Sequence, residues 1–220
     1  MSANDLAQRL GDACYVFLAL NFLWGLYCVM LAWMRVRKLS FRSHKEQDEY
    51  MRTVMAQLRA GQYQEAEDES AKDSRALPQL VNVAISNRDI GYDPMRQVVS
   101  EVLQRDILGD LDRITGWVAT VIKSGPLLGL FGTVLGMMAA FGRIGTGDKV
   151  KTSQIADEIS IALICTAMGL ATAIPFNYLL NNLNSRIGKL RDSLTAGLVR
   201  VLDHFKKRPA GRREREHVSA

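Results

Sequence analysis

The chain has 220 residues, 48% of them hydrophobic and 7% aromatic, with a net charge of +5. Its apolar residues are blocked into three long stretches, so a soluble globular domain is excluded, and the place of the basic residues beside those stretches argues against nucleic acid. Cys14, Cys28 and Cys165 lie inside apolar stretches without C-x-x-C or Cys/His spacing, and His44, His204 and His217 are isolated, so no metal site, disulfide framework or cofactor is expected.

Residues 1–12 precede the first stretch, 13–34, which holds 22 residues without a formal charge. About 20 apolar residues rising about 1.5 Å each cross the roughly 30 Å hydrocarbon core of a bilayer. Asp5 and Asp12 precede the stretch, no small-x-small cleavage site follows it, and it exceeds a signal peptide's apolar core, so it reads as a retained transmembrane helix. Arg35, Arg37, Lys38, Arg42 and Lys45 follow at once and mark the cytoplasmic side.

Residues 35–116 hold 13 Lys/Arg against 14 Asp/Glu, a balance that suits solvated helices. The spacing predicts a helix over 47–60, a break at Gly61 and a second, acidic helix over 65–73. Pro78, then Gly91 with Pro94, punctuate a third element. Val98, Val99, Val102, Leu103, Leu108, Leu111 and Ile114 then recur at helical spacing and lead without a strong stop into the second span, 117–142.

Within that span Gly125, Gly129, Gly132 and Gly136 recur three or four apart, the spacing that lets helix backbones approach closely in lipid. Thr133 lies beside this row, ten residues from Lys123 and ten from Arg143, which predicts a place near the midplane. Lys123 itself is expected at the edge of the uncharged run 124–142, where its stem can snorkel. Pro126 is a candidate kink. The connection 143–158 balances Arg143, Lys149 and Lys151 against Asp148, Asp157 and Glu158 and is assigned to the outside.

The third span, 159–185, places Ala162, Thr166, Gly169, Ala173 and Asn177 on one face, with Pro175 as a second candidate kink. Running antiparallel to the second, it can bring Thr166 to the depth of Thr133. A lone buried threonine ordinarily bonds a carbonyl of its own helix; two at matching depth on small-residue faces suit a pore lining. Both readings stand. Past the span, Leu183, Ile187, Leu190, Leu194, Leu198, Val201 and Leu202 form an apolar stripe over the helical extension 186–208, and 209–220 reads as a disordered tail. The fold class predicted is an all-α membrane protein with three transmembrane helices, the second and third extended into a cytoplasmic helical bundle.

No Asp, Glu or His lies inside any span. Since proton movement through a membrane normally uses an ionisable group, a conducting path here would need its carboxylate from a partner.

PLLGLFGTVLGMMAAF (126–141) and IADEISIALICTAMGLATAIPFNYL (155–179) closely resemble the ExbB/TolQ/MotA family of proton-channel proteins, with its G-T-V-x-G and A-L-x-x-T-A-x-G-L-x-x-A-I-P signatures. Three spans resemble the ExbB/TolQ branch more than the four-span flagellar stators. The resemblance implies an inner-membrane protein, not an enzyme, with a periplasmic N-terminus and a cytoplasmic C-terminus. It also implies a homopentamer around a single-span ExbD/TolR-like partner whose intramembrane aspartate carries the proton past Thr133 and Thr166. Many relatives carry a glutamate where this chain has Ile161; Glu158 is the nearby acid, read either as a channel-mouth carboxylate or as a helix N-terminal one favoured by the dipole. A non-conducting oligomeric scaffold with cytoplasmic partner-binding helices is the alternative function.

Overall fold

The structure, a computed structural model, describes residues 3–145 and 152–206. The expected tail 209–220 and part of the 143–158 connection lie outside the described residues. The chain is all-α: α1 (Ala3–Leu39), α2 (His44–Ala60), α3 (Tyr63–Lys72), α4 (Ala76–Ser86), α5 (Tyr92–Val102), α6 (Gly109–Gly145) and α7 (Thr152–Lys206), with no strand among the described residues. A 3₁₀ turn (Arg88–Ile90) precedes α5 and a π-helical segment (Leu103–Leu108) joins it to α6. Three of these helices are long and apolar enough to cross a membrane, and α7 extends well beyond its apolar part.

Two compact units divide the chain. The first, residues 1–31 with 114–183, holds the apolar parts of α1, α6 and α7. Its surface is apolar, as lipid requires: Val16, Phe17, Leu23, Leu127, Leu130, Met138, Leu163 and Ile174 are all exposed. The faces turned inward are small or compact, among them Cys14, Ala140, Ala162 and Cys165.

The second unit, residues 32–113 with 184–220, is built like a soluble bundle. Helix α4 is its centre: Leu77, Leu80, Val81, Ala84 and Ile85 are fully buried. The expected stripe on α7 is buried at every position from Ile187 through Leu202, and a Cβ at Gly197 would already meet Leu77 Cδ1 at 2.7 Å. Ser43 caps α2 by accepting the Lys45 N–H at 3.3 Å. Gly61 ends the helix in the left-handed region at φ 81, where a side chain would be strained.

Two local expectations are corrected. The third element expected around Pro78, Gly91 and Pro94 is two helices, α4 and α5, and each proline is the third residue of its helix, where the missing N–H would have had no intrahelical acceptor. The apolar repeat into α6 is not plain α-helix either. Val99, Leu103, Leu108 and Leu111 are spaced four, five and three apart and all are buried. The five-residue step is met by the π segment, where the Gly109 N–H donates to Gln104 O.

The second unit also has a titration marker. Tyr50 and Ser70 share a 2.8 Å hydrogen bond between α2 and α3. Burial, with the nearby charges of Asp73 and Glu69, pushes the Tyr50 phenol up to about 12, against the opposing pull of the Ser70 hydroxyl. The folded state thus favours the neutral phenol: its contribution is complete below the unfolded value near 10 and is lost as pH rises through about 12. Absorbance at 295 nm should show a late ionisation that Tyr50→Phe removes, together with the matching fall in stability between pH 10 and 12. A titration left unchanged by Tyr50→Phe would contradict the half-buried placement of this phenol.

Candidate functional site

In the first unit α6 and α7 meet backbone to backbone through their small residues. A Cβ built on Gly169 would stand 2.5 Å from Gly125 O, and one on Gly129 would stand 2.8 Å from Cys165 O. On Gly132 it would collide with Cys165 Sγ, and on Gly136 it would approach Ala162 Cβ at 2.6 Å. Ala162 and Ala173 are both buried. The packing row of the sequence is therefore a helix seam.

The two motif threonines face each other across this seam. Thr133 is buried and Thr166 half-buried, and their hydroxyls are 2.5 Å apart. Thr133 Oγ1 is also 2.9 Å from Ala162 O and 3.1 Å from Gly129 O, while Thr166 Oγ1 is 3.1 Å from that same Gly129 O. A hydroxyl has one proton to donate. Two protons thus serve two carbonyls and the hydroxyl–hydroxyl contact, so the donors can exchange acceptors without leaving the site. The own-helix bond expected of a lone threonine is present in Thr133, but it is one contact among three.

Depth is read from α1. The Cβ of Cys14 lies close beside Gly132, and Tyr15 donates to Ile161 O at 2.8 Å. The threonine pair is therefore level with the start of the uncharged run 13–34, while it lies midway along 124–142 on α6 and seven residues into 159–185 on α7. Glu158 lies half-buried on α7, eight residues before Thr166 and so about 12 Å from it along the axis. Since α7 begins at Thr152, Glu158 is past the first turn and not a helix N-terminal carboxylate. Pro126 and Pro175 both lie inside their helices.

Sequence reasoning missed Asn21. Its amide donates to Val121 O at 3.3 Å and its carbonyl oxygen accepts from Ser124 Oγ at 2.8 Å, which fastens α1 to α6 one turn before Pro126. As the sole amide in residues 13–34 it was visible in principle, because a polar side chain in an apolar span needs a partner. Thr172, also buried, bonds Met168 O of its own helix. The three cysteines are free and buried, and among the described residues no cluster of His, Cys, Asp and Glu could hold a metal ion.

Residues 42–196 match the MotA/TolQ/ExbB proton channel family, a span that includes α2 to α5 and the second and third apolar stretches. An ExbB homolog of Methanothermobacter thermautotrophicus is 26% identical over 173 residues, 76% of this chain and 60% of that protein. The biopolymer transport protein ExbB of Aquifex aeolicus is 42% identical over 77 residues, 35% of this chain and 50% of that protein. The Tol-Pal system protein TolQ of Haemophilus influenzae is 38% identical over 80 residues, 36% of this chain and 35% of that protein. The chain thus covers between 35% and 60% of the length of these curated relatives. With the apolar helices, the seam of small residues and the paired threonines in place, the match leads to one conclusion: this is a membrane-spanning protein that belongs to the MotA/TolQ/ExbB proton channel family, on its ExbB/TolQ branch.

Proposed function

We propose that the chain is the wall-forming subunit of a proton-driven motor in a bacterial inner membrane, with its N-terminus periplasmic and its C-terminus cytoplasmic. In this reading several copies, five by analogy with the family, surround a single-span ExbD/TolR-like partner. The partner's intramembrane acid carries the proton past Thr133 and Thr166, and proton motive force becomes mechanical work on the envelope or an outer-membrane transporter. Glu158 stands at the path's mouth, the small residues hold the seam, and Pro126 and Pro175 allow the two helices to bend.

The observation that carries the reading is the threonine pair: two hydroxyls with exchangeable acceptors, one of them half-exposed, within the stretches 114–142 and 159–185, which contain no acid of their own. Such a pair can lend a hydrogen bond to a passing carboxyl group and recover its own partner afterwards. An elementary charge crossing 100 mV releases about 2.3 kcal/mol, enough to bias a conformational step.

The same contacts also favour a second reading, in which the hydroxyls only staple α6 to α7 and the protein is a non-conducting scaffold. Proteoliposomes separate the two. With the chain and its single-span partner together, an imposed potential of about 100 mV should drive proton uptake reported by an internal pH dye, and either component alone should not. Uptake by this chain alone would contradict the donated acid; no uptake in any combination would leave the scaffold.

A further inference from the structure

Lys123 is the single formal charge between residues 114 and 142 of α6. Along α6 alone it borders the uncharged run 124–142, but the packing of the first unit gives it another depth. Asn21 reaches both Val121 and Ser124. A Cβ on Gly25 would meet Val121 and Phe176, and Gly125 abuts Gly169. Lys123 is therefore level with residues 21–25 of α1 and 169–176 of α7, the middles of the uncharged runs 13–34 and 159–185.

The neighbouring charges are far away along every helix. Asp12 and Arg35 on α1, Arg113 and Arg143 on α6, and Glu158 and Arg186 on α7 are each nine or more residues from this level, about 14 Å or more. A hydrocarbon core of roughly 30 Å centred on the two runs holds Lys123 near its midplane. Sliding that core until Lys123 reaches a surface would instead draw in Asp5, Arg9, Asp12, Asp157 and Glu158, five charges in place of one. A lysine stem of roughly 6 Å does not snorkel across half a bilayer.

Lys123 is exposed on the surface of the unit and makes no ion pair among the described residues. Its face changes character there: Gly116 and Thr120 are exposed on one side of it, Leu127 and Leu130 on the other. A lone lysine at this depth marks a functional position that faces a water-filled cavity or pairs with a counter-charge. A second copy of the chain cannot supply it, because residues 13–34, 114–142 and 159–185 contain no acid.

We propose that Lys123 is the mid-membrane docking cation for a carboxylate carried on a transmembrane helix of a different polypeptide. The inference rests on the motor reading, in which a partner helix enters the membrane beside this chain, and deepens it by giving that partner a second contact ten residues, about 15 Å, along α6 from Thr133. Pairing with Lys123 favours the ionised form of that carboxylate.

The test uses the full chain in liposomes with a dye-labelled synthetic helix of leucines bearing one central aspartate, and the same helix bearing asparagine, each at a dilution where it does not self-associate. Energy transfer should show the aspartate helix binding about tenfold or more tightly. Lys123→Met should erase the difference and Lys123→Arg should retain it. Equal binding of both helices by wild type, or an undiminished aspartate preference in Lys123→Met, overturns the assignment. Thr133→Val should keep the full preference here while losing proton flux. Loss of the Lys123 effect with threonine-dependent flux intact therefore removes this proposal alone, and absent flux removes the motor reading.

Discussion

Leucine in place of Gly129 should leave no cooperatively folded three-helix unit. Its Cβ would stand 2.8 Å from Cys165 O and 2.9 Å from the Thr166 Cα, closer than real Cβ atoms approach, and both contacts are backbone. A side chain can rotate aside, but a helix backbone moves only as a body, so α6 and α7 must separate. Overpacking a tight interior costs about 1–3 kcal/mol even where neighbours can rearrange. Here the loss extends to the Gly125–Gly169 contact and both threonine hydroxyls. In lipid, where apolar burial between helices gives little drive, that close packing is the main source of association. Gly169→Leu should fail in the same way, since its Cβ would meet Gly125 O at 2.5 Å. Gly116 is the control: a Cβ there would have nothing within 4 Å, and Gly116→Leu should unfold at the wild-type temperature. Tryptophan fluorescence in detergent during heating, with size-exclusion profiles, reads all three. Wild-type melting of Gly129→Leu would mean that the seam is not closed through that glycine.

How much of the fold is legible in the sequence depends on which forces are local. Long uncharged runs announce bilayer-crossing helices by length alone, and the stripe from Leu183 to Leu202 names the face that α7 buries, because both signals sit within one helix. Gly61 was readable as a break for the same reason: its left-handed φ of 81 is a property of the residue. Pro78 and Pro94 were misleading because proline's missing N–H forbids a helix interior and equally suits a first turn, and only the neighbours decide between them. The π segment needs the burial of Leu103 and Leu108 together, a demand made by the other helices. Depth was the largest gap. Charges on α6 alone set the expected depths of Thr133 and Lys123, whereas depth is shared by all three helices, and the contacts of Cys14 and Asn21 align α6 with the uncharged run of α1. The threonines were nominated by their motif, but that Gly129 O lies within reach of both hydroxyls is a fact of packing.

Valine at position 133 or 166 should slow proton flux by about ten- to a hundredfold while the protein stays assembled. Valine keeps the shape of threonine and removes only the hydroxyl. A hydrogen bond to a charged group contributes about 1.5–3 kcal/mol, and each 1.4 kcal/mol added to a barrier is about a tenfold loss of rate. The structural cost is smaller, since a side-chain hydrogen bond between membrane helices averages about 0.6 kcal/mol and reaches about 1.7. Because both hydroxyls draw on Gly129 O, the pair should couple: the double valine variant should lose less stability than the two single losses added. Serine at either position restores a donor and should recover most of the flux, which separates the hydroxyl's chemistry from the methyl's packing. Flux into dye-loaded proteoliposomes and melting temperature must be measured on the same preparations. Full flux in both valine variants, with melting lowered, would reduce the threonines to a staple between α6 and α7. Flux lost equally in the serine variants would assign the effect to shape, and the path would have to be sought elsewhere on these helices.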